Sequence, residues 1–105
     1  MININGISWK IKFTHPMDSV FIRKDGTRTV GMCDRDNQTI YLAENLEGSM
    51  LKRVLCHELV HAAMFSYGVY LSLDQEEILA DIIATYGEEI INVTNKVFKK
   101  LRFYS

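Results

Sequence analysis

His57 and His61 stand four residues apart in CHELVHAA, residues 56–63, with Glu58 between them in an otherwise apolar stretch. Imidazole and carboxylate groups are costly to bury without partners, so something must satisfy them. On a helix, residues i and i+4 share one face about a turn apart, close enough for two imidazoles to chelate one ion. Glu58 lies about 100° around the helix from His57, beside such an ion, where a carboxylate can take a proton from water. The five residues His57-Glu58-Leu59-Val60-His61 fit the H-E-x-x-H pattern of zinc hydrolases. Catalytic zinc needs three protein ligands and one open position.

A third ligand is expected downstream. Met64 and Tyr67 occupy the places where a metzincin carries glycine and its third histidine, so that arrangement is excluded. Glu76, Glu77 and Asp81 remain, all near the start of the next helix. Helical phase separates them: Glu77 falls opposite the bulky apolar residues, with Ala80 and Ala84 on its side and Asp81 adjacent. A side of small and acidic residues lets another helix approach closely. Glu77 is therefore the expected third ligand. Asp81, one turn on, is the expected hydrogen-bond partner of a ligating imidazole. Glu76, on the flank, is expected to be nearly silent. The competing reading of Glu77, Asp81 and Glu88 is a solvated acidic face.

Two elements must position these groups. From Glu47 to about Phe65 there is no proline or turn cluster, and apolar residues point in most directions, as in a buried helix. Gly68 marks its end. Ser72-Leu73-Asp74-Gln75 reads as a capping box opening the next helix. That helix carries Ile78, Leu79, Ile82, Ile83, Tyr86 and Ile90 at helical spacing, and either continues or restarts after Gly87. Before the helices lie strand signals. Asn5-Gly6 sits between alternating apolar positions, and Ile7, Trp9, Ile11 and Phe13 give one buried strand face. TRTVGMC and QTIYL, joined by DRDN, read as a second hairpin. The expected fold is α+β: a small N-terminal β-sheet, an active-site helix and a second C-terminal helical region, all in one domain over residues 1–105.

Composition narrows the function classes. Of 105 residues, 48% are hydrophobic and 24% charged, with a formal net charge of -1. Such a chain has no strong basic excess, so no nucleic-acid footprint is expected. No run of 18 apolar residues points to a membrane span. The opening MININGISWK lacks the basic and apolar regions of a secretory signal, and two cysteines make no disulfide framework. The expectation is a cytoplasmic protein with reduced Cys33 and Cys56. Cys56 points away from the histidine face and reads as packing. Lys96, Lys99, Lys100 and Arg102 read as a solvated helix end favoured by the macrodipole.

LKRVLCHELVHAAMFSYG followed by EEILADIIATYGEEI, and more loosely GMCDRDNQTIYLAENL, resembles the small bacterial and phage zincins related to the ImmA/IrrE-type metallopeptidases. The resemblance spans roughly residues 30–91. It implies a minimal zincin fold, zinc on His57, His61 and a downstream glutamate, and Glu58 as general base. It also implies a protein or peptide substrate and an origin in phage or mobile elements. Tyr41, Tyr67, Tyr70 and His15 are all open as the group that stabilises an oxyanion. The alternative class is a zinc-stabilised regulatory module that binds without cleaving. Substrate identity and oligomeric state are not encoded legibly.

Overall fold

The computed structural model describes residues 1–101. Its elements are β1 (Ile2–Ile4), β2 (Ile7–Thr14), β3 (Gly31–Asp34), β4 (Thr39–Ala43), α1 (Gly48–Ser66) and α2 (Leu73–Leu101). The architecture is α+β, a four-stranded sheet followed by two helices, as the patterning implies.

Both hairpins form. Asn5 and Gly6 take positive φ values of 49° and 81°, which a two-residue turn matching strand twist requires. The turn also docks, because Asn5 Nδ2 donates to the Ser66 carbonyl at the end of α1. β3 and β4 pair antiparallel, from Gly31 opposite Leu42 to Asp34 opposite Thr39. The second hairpin is shorter than its sequence run suggests. Residues 22–30 instead form a loop closed by an Ile22–Arg28 bridge and anchored by the fully buried Phe21.

The hairpins join through a parallel pairing of β2 with β4, giving the order β1-β2-β4-β3. β3 is therefore an edge strand. Trp9, Ile40, Leu42 and Ala62 make the central core, with α1 laid across one face of the sheet. Trp9 Nε1 donates to Ser66 Oγ at 2.9 Å, so the largest core side chain has its one polar group satisfied. Phe13 departs from the expected buried face and is half exposed, because α1 packs mainly over β3 and β4.

The helix ends follow their sequence signals. Gly68 adopts φ 67°, while Gly68 N–H donates to the Phe65 carbonyl and Val69 N–H to that of Met64. These are the two bonds of a Schellman cap. The capping box is reciprocal: Gln75 N–H donates to Ser72 Oγ and Ser72 N–H to Gln75 Oε1. α2 then runs unbroken through Gly87 for 29 residues, about 43 Å at 1.5 Å per residue. The Lys96, Lys99 and Lys100 side of the basic cluster is exposed near the end of this helix, and Arg102 lies outside the described residues.

Candidate metal centre

α1 and the first turns of α2 lie side by side, and their contact carries the charged residues. His57 Nε2 and His61 Nε2 are 3.3 Å apart. Glu77 reaches both, with Oε1 2.7 Å from His61 Nε2 and Oε2 3.3 Å from His57 Nε2. The three side chains make a group that could hold a metal ion. Ala80 is buried and Ala84 half-buried beside them, so the small-residue side of α2 does face α1.

The outer ring nitrogens are also engaged. His57 Nδ1 lies 2.9 Å from Asp81 Oδ1, the expected partner of one of the two imidazoles. His61 Nδ1 lies 2.6 Å from Glu76 Oε1. Glu76, expected on the flank and nearly silent, is instead 3% exposed, and it also accepts a charged hydrogen bond from Arg35. Burial pushes the Glu76 carboxyl pKa upward, but the hydrogen bonds from His61 and Arg35 outweigh it and hold the group below the ordinary carboxylate range. Adjacent residues on a helix diverge by about 100°, so Glu77 and Glu76 can address one imidazole from two sides. That happens here because Arg35 from the β3–β4 turn reaches over the flank that Glu76 occupies.

Arg35 comes from the β3–β4 turn. Asp34 accepts from both the backbone and side-chain nitrogens of Asn37, and Gln38 takes a positive φ of 50°. The turn so formed sends Arg35 across to α2, where its guanidinium also lies over the Phe65 ring, 5.9 Å from the centroid. Nothing in the local sequence marks Arg35 for this role.

Glu58 is 7% exposed and lines the same cleft as His57 and His61. Burial raises its carboxyl pKa to about 7, against the lowering influence of His57 and with the charge of Glu77 adding to the rise. A carboxylate poised there can both accept and return a proton near neutrality. Gly31 makes its seat. A Cβ at that position would come within 2.7 Å of Val54 Cγ1 and 3.0 Å of Glu58 Oε2. A lone glycine in a strand run is a sign of close approach, a signal that reading TRTVGMC only as a hairpin strand leaves unused. Gly31→Ala should therefore cost about 1–3 kcal/mol in a denaturant melt, the usual penalty for overpacking. A change below about 0.5 kcal/mol would mean that the helix yields freely there.

The cleft has a volume of about 840 Å³. One wall is β3 at Gly31, Met32 and Cys33, and another is the start of α2. Arg23, Lys24 and Thr29 of the 22–30 loop complete it. Tyr41, Tyr67, Tyr70 and His15 are not among its lining residues. His15 is an exposed loop residue whose Nδ1 accepts from Met17 N–H. Cys33 lines the cleft, but burial and the Glu58 charge push its thiol up to about 12. It is therefore no nucleophile at neutral pH. Cys56 is a half-buried free thiol. No helix among the described residues is long and apolar enough to cross a membrane. Comparison with family models, curated proteins and solved structures finds no match for this chain.

Proposed function

We propose that the chain is a zinc-dependent peptidase whose metal is held by His57, His61 and Glu77. One observation carries the metal: the Nε2 atoms of His57 and His61 and the Glu77 carboxylate converge, while each outer ring nitrogen already has a carboxylate to donate to. A neutral imidazole has a single N–H. His61 uses it toward Glu76 and His57 toward Asp81, at 2.6 and 2.9 Å. That leaves two Nε2 lone pairs and the Glu77 carboxylate facing one another. Without a metal, a proton must occupy that space, making at least one ring an imidazolium with its Nε2 3.3 Å from that of the other. A cation removes the conflict. The donor set suits zinc, and about 3.3 Å is the edge of a tetrahedron whose centre lies about 2.0 Å from each vertex, the Zn–N distance.

Zinc supplies Lewis acidity, polarising a carbonyl and lowering the pKa of water to about 7. Glu58 takes the proton of the attacking water and delivers it to the leaving amine. The outer edge of β3 pairs with no strand among the described residues and borders the cleft. An extended peptide can add there as a further strand. Arg23 and Lys24, on the facing loop, are the cations available to a developing oxyanion, since Arg35 is engaged by Glu76.

The test is hydrolysis of a degenerate peptide library by zinc-loaded protein, chelated protein and the Glu58→Gln variant. Cleavage is expected from the first alone, with the variant retaining one zinc per chain. Equal cleavage by Glu58→Gln overturns the role of Glu58. Zinc binding without cleavage by any form assigns the chain to the non-catalytic binding class.

A further inference from the structure

α2 outgrows the domain it belongs to. Lys52, near the start of α1, pairs with Glu88 at 2.7 Å, and from Glu88 to Leu101 every residue of α2 is exposed. This stretch is not polar. Leu79, Ile83, Tyr86, Ile90, Val93 and Val97 recur at intervals of 4, 3, 4, 3 and 4. That is the heptad spacing of a coiled-coil seam and not merely an amphipathic face. Leu79 is half-buried, and the other five are between 37% and 56% exposed. Ala80 and Ala84 face α1, so the seam points away from it. No element among the described residues covers it.

The charges beside the seam say what does. Glu89 and Lys96 occupy equivalent flanking positions one heptad apart and opposite in sign. If a second α2 runs antiparallel with Ile90 against Val93 of the other copy, Tyr86 meets Val97 of that copy in the next layer. The same register sets each Glu89 against Lys96 of the second copy. On the other flank Gly87 and Thr94 oppose each other, adding no charge and little bulk. A parallel pair would instead set Glu89 near Thr94 and Lys96 near Leu101, with no charge matched. The helix is complementary to itself in reverse. We infer that the protein forms an antiparallel dimer through residues 83–100 of α2, where Ile83 lies along the stem of Lys100 at each end of the seam.

The surface is that of a weak dimer. Tyr86, Ile90, Val93 and Val97 of each copy, with Ile83 against the Lys100 stem, remove on the order of 800 Å² in the pair, the size of a weak interface that dissociates on dilution. The seam is on the side of α2 away from the metal centre, so dimerisation and metal binding can be measured apart.

Sedimentation of the zinc-loaded full chain over a concentration series reads the outcome directly. The expected species has twice the 12.1 kDa chain mass at high concentration and dissociates on dilution. Ile90→Glu with Val97→Glu should give monomer at every concentration, with helical circular dichroism and zinc content unchanged. Glu89→Lys alone should weaken the dimer on the order of tenfold, because two attractive pairs become repulsive. Adding Lys96→Glu to it should restore the dimer. Monomeric wild-type protein, or a dimer indifferent to Ile90→Glu with Val97→Glu, overturns the proposal. A dimer that ignores Glu89→Lys overturns the antiparallel register.

Discussion

His61→Ala is expected to lose bound zinc and to lower the melting temperature of protein prepared with the metal by more than any other single change in the cleft. Three effects act together. The variant removes one of the three proposed ligands, so the free energy of metal binding no longer adds to folding. It leaves Glu76, 3% exposed, without one of its two partners. It opens a void where a 7% exposed ring had been. The carboxylates grade the same experiment. Glu77→Ala removes a ligand and should weaken zinc most among them. Glu76→Ala should follow, at about 10- to 100-fold, the usual cost of freeing a ligand histidine. Asp81→Ala should cost less than Glu76→Ala, because Asp81 is largely exposed and water can replace it at His57. Competition with a chelator measures the order Glu77, Glu76, Asp81. A silent Glu76→Ala would show that Arg35 and His61 hold their places without it.

Glu58→Gln is expected to stabilise the metal-free protein at pH 8 while removing its hydrolytic role. The fold raises the Glu58 pKa from an ordinary 4.5 to about 7, so the native state holds a proton that the unfolded chain has released over that interval. Stability then falls as pH rises, because the native state binds more protons than the unfolded one. The contribution is intact below pH 4.5 and is lost as pH rises through 7. Integrated over the shift, the ionised carboxylate costs up to about 3 kcal/mol at pH 8. Glutamine fills the same space without ionising. Urea melts of the chelated proteins should show the variant ahead at pH 8 and level with wild type at pH 4. Equal stability at both pH values would mean that the Glu58 carboxylate is well solvated after all.

What the sequence by itself determined is whatever depends on neighbours along the chain. The His57–His61 spacing makes a chelating pair wherever the helix lies, since four residues return to the same face. The Asn5-Gly6 turn, the Gly68 cap and the Ser72–Gln75 box are likewise complete within a few residues, and each formed as read. Glu77 was legible because the phase of α2 is internal to α2. The tertiary structure decided the rest. Phase tells which residues share a side, not what stands on the flank, so the hold of Glu76 on His61 became visible only once Arg35 arrived from a turn 41 residues away. The parallel pairing of β2 with β4, which leaves β3 as the edge beside the cleft, is a non-local choice between hairpins that look alike in sequence. The apolar residues of α2 were read correctly as periodic. Only the packed fold reveals that their own domain does not cover them, because burial depends on how far the other elements extend and periodicity does not.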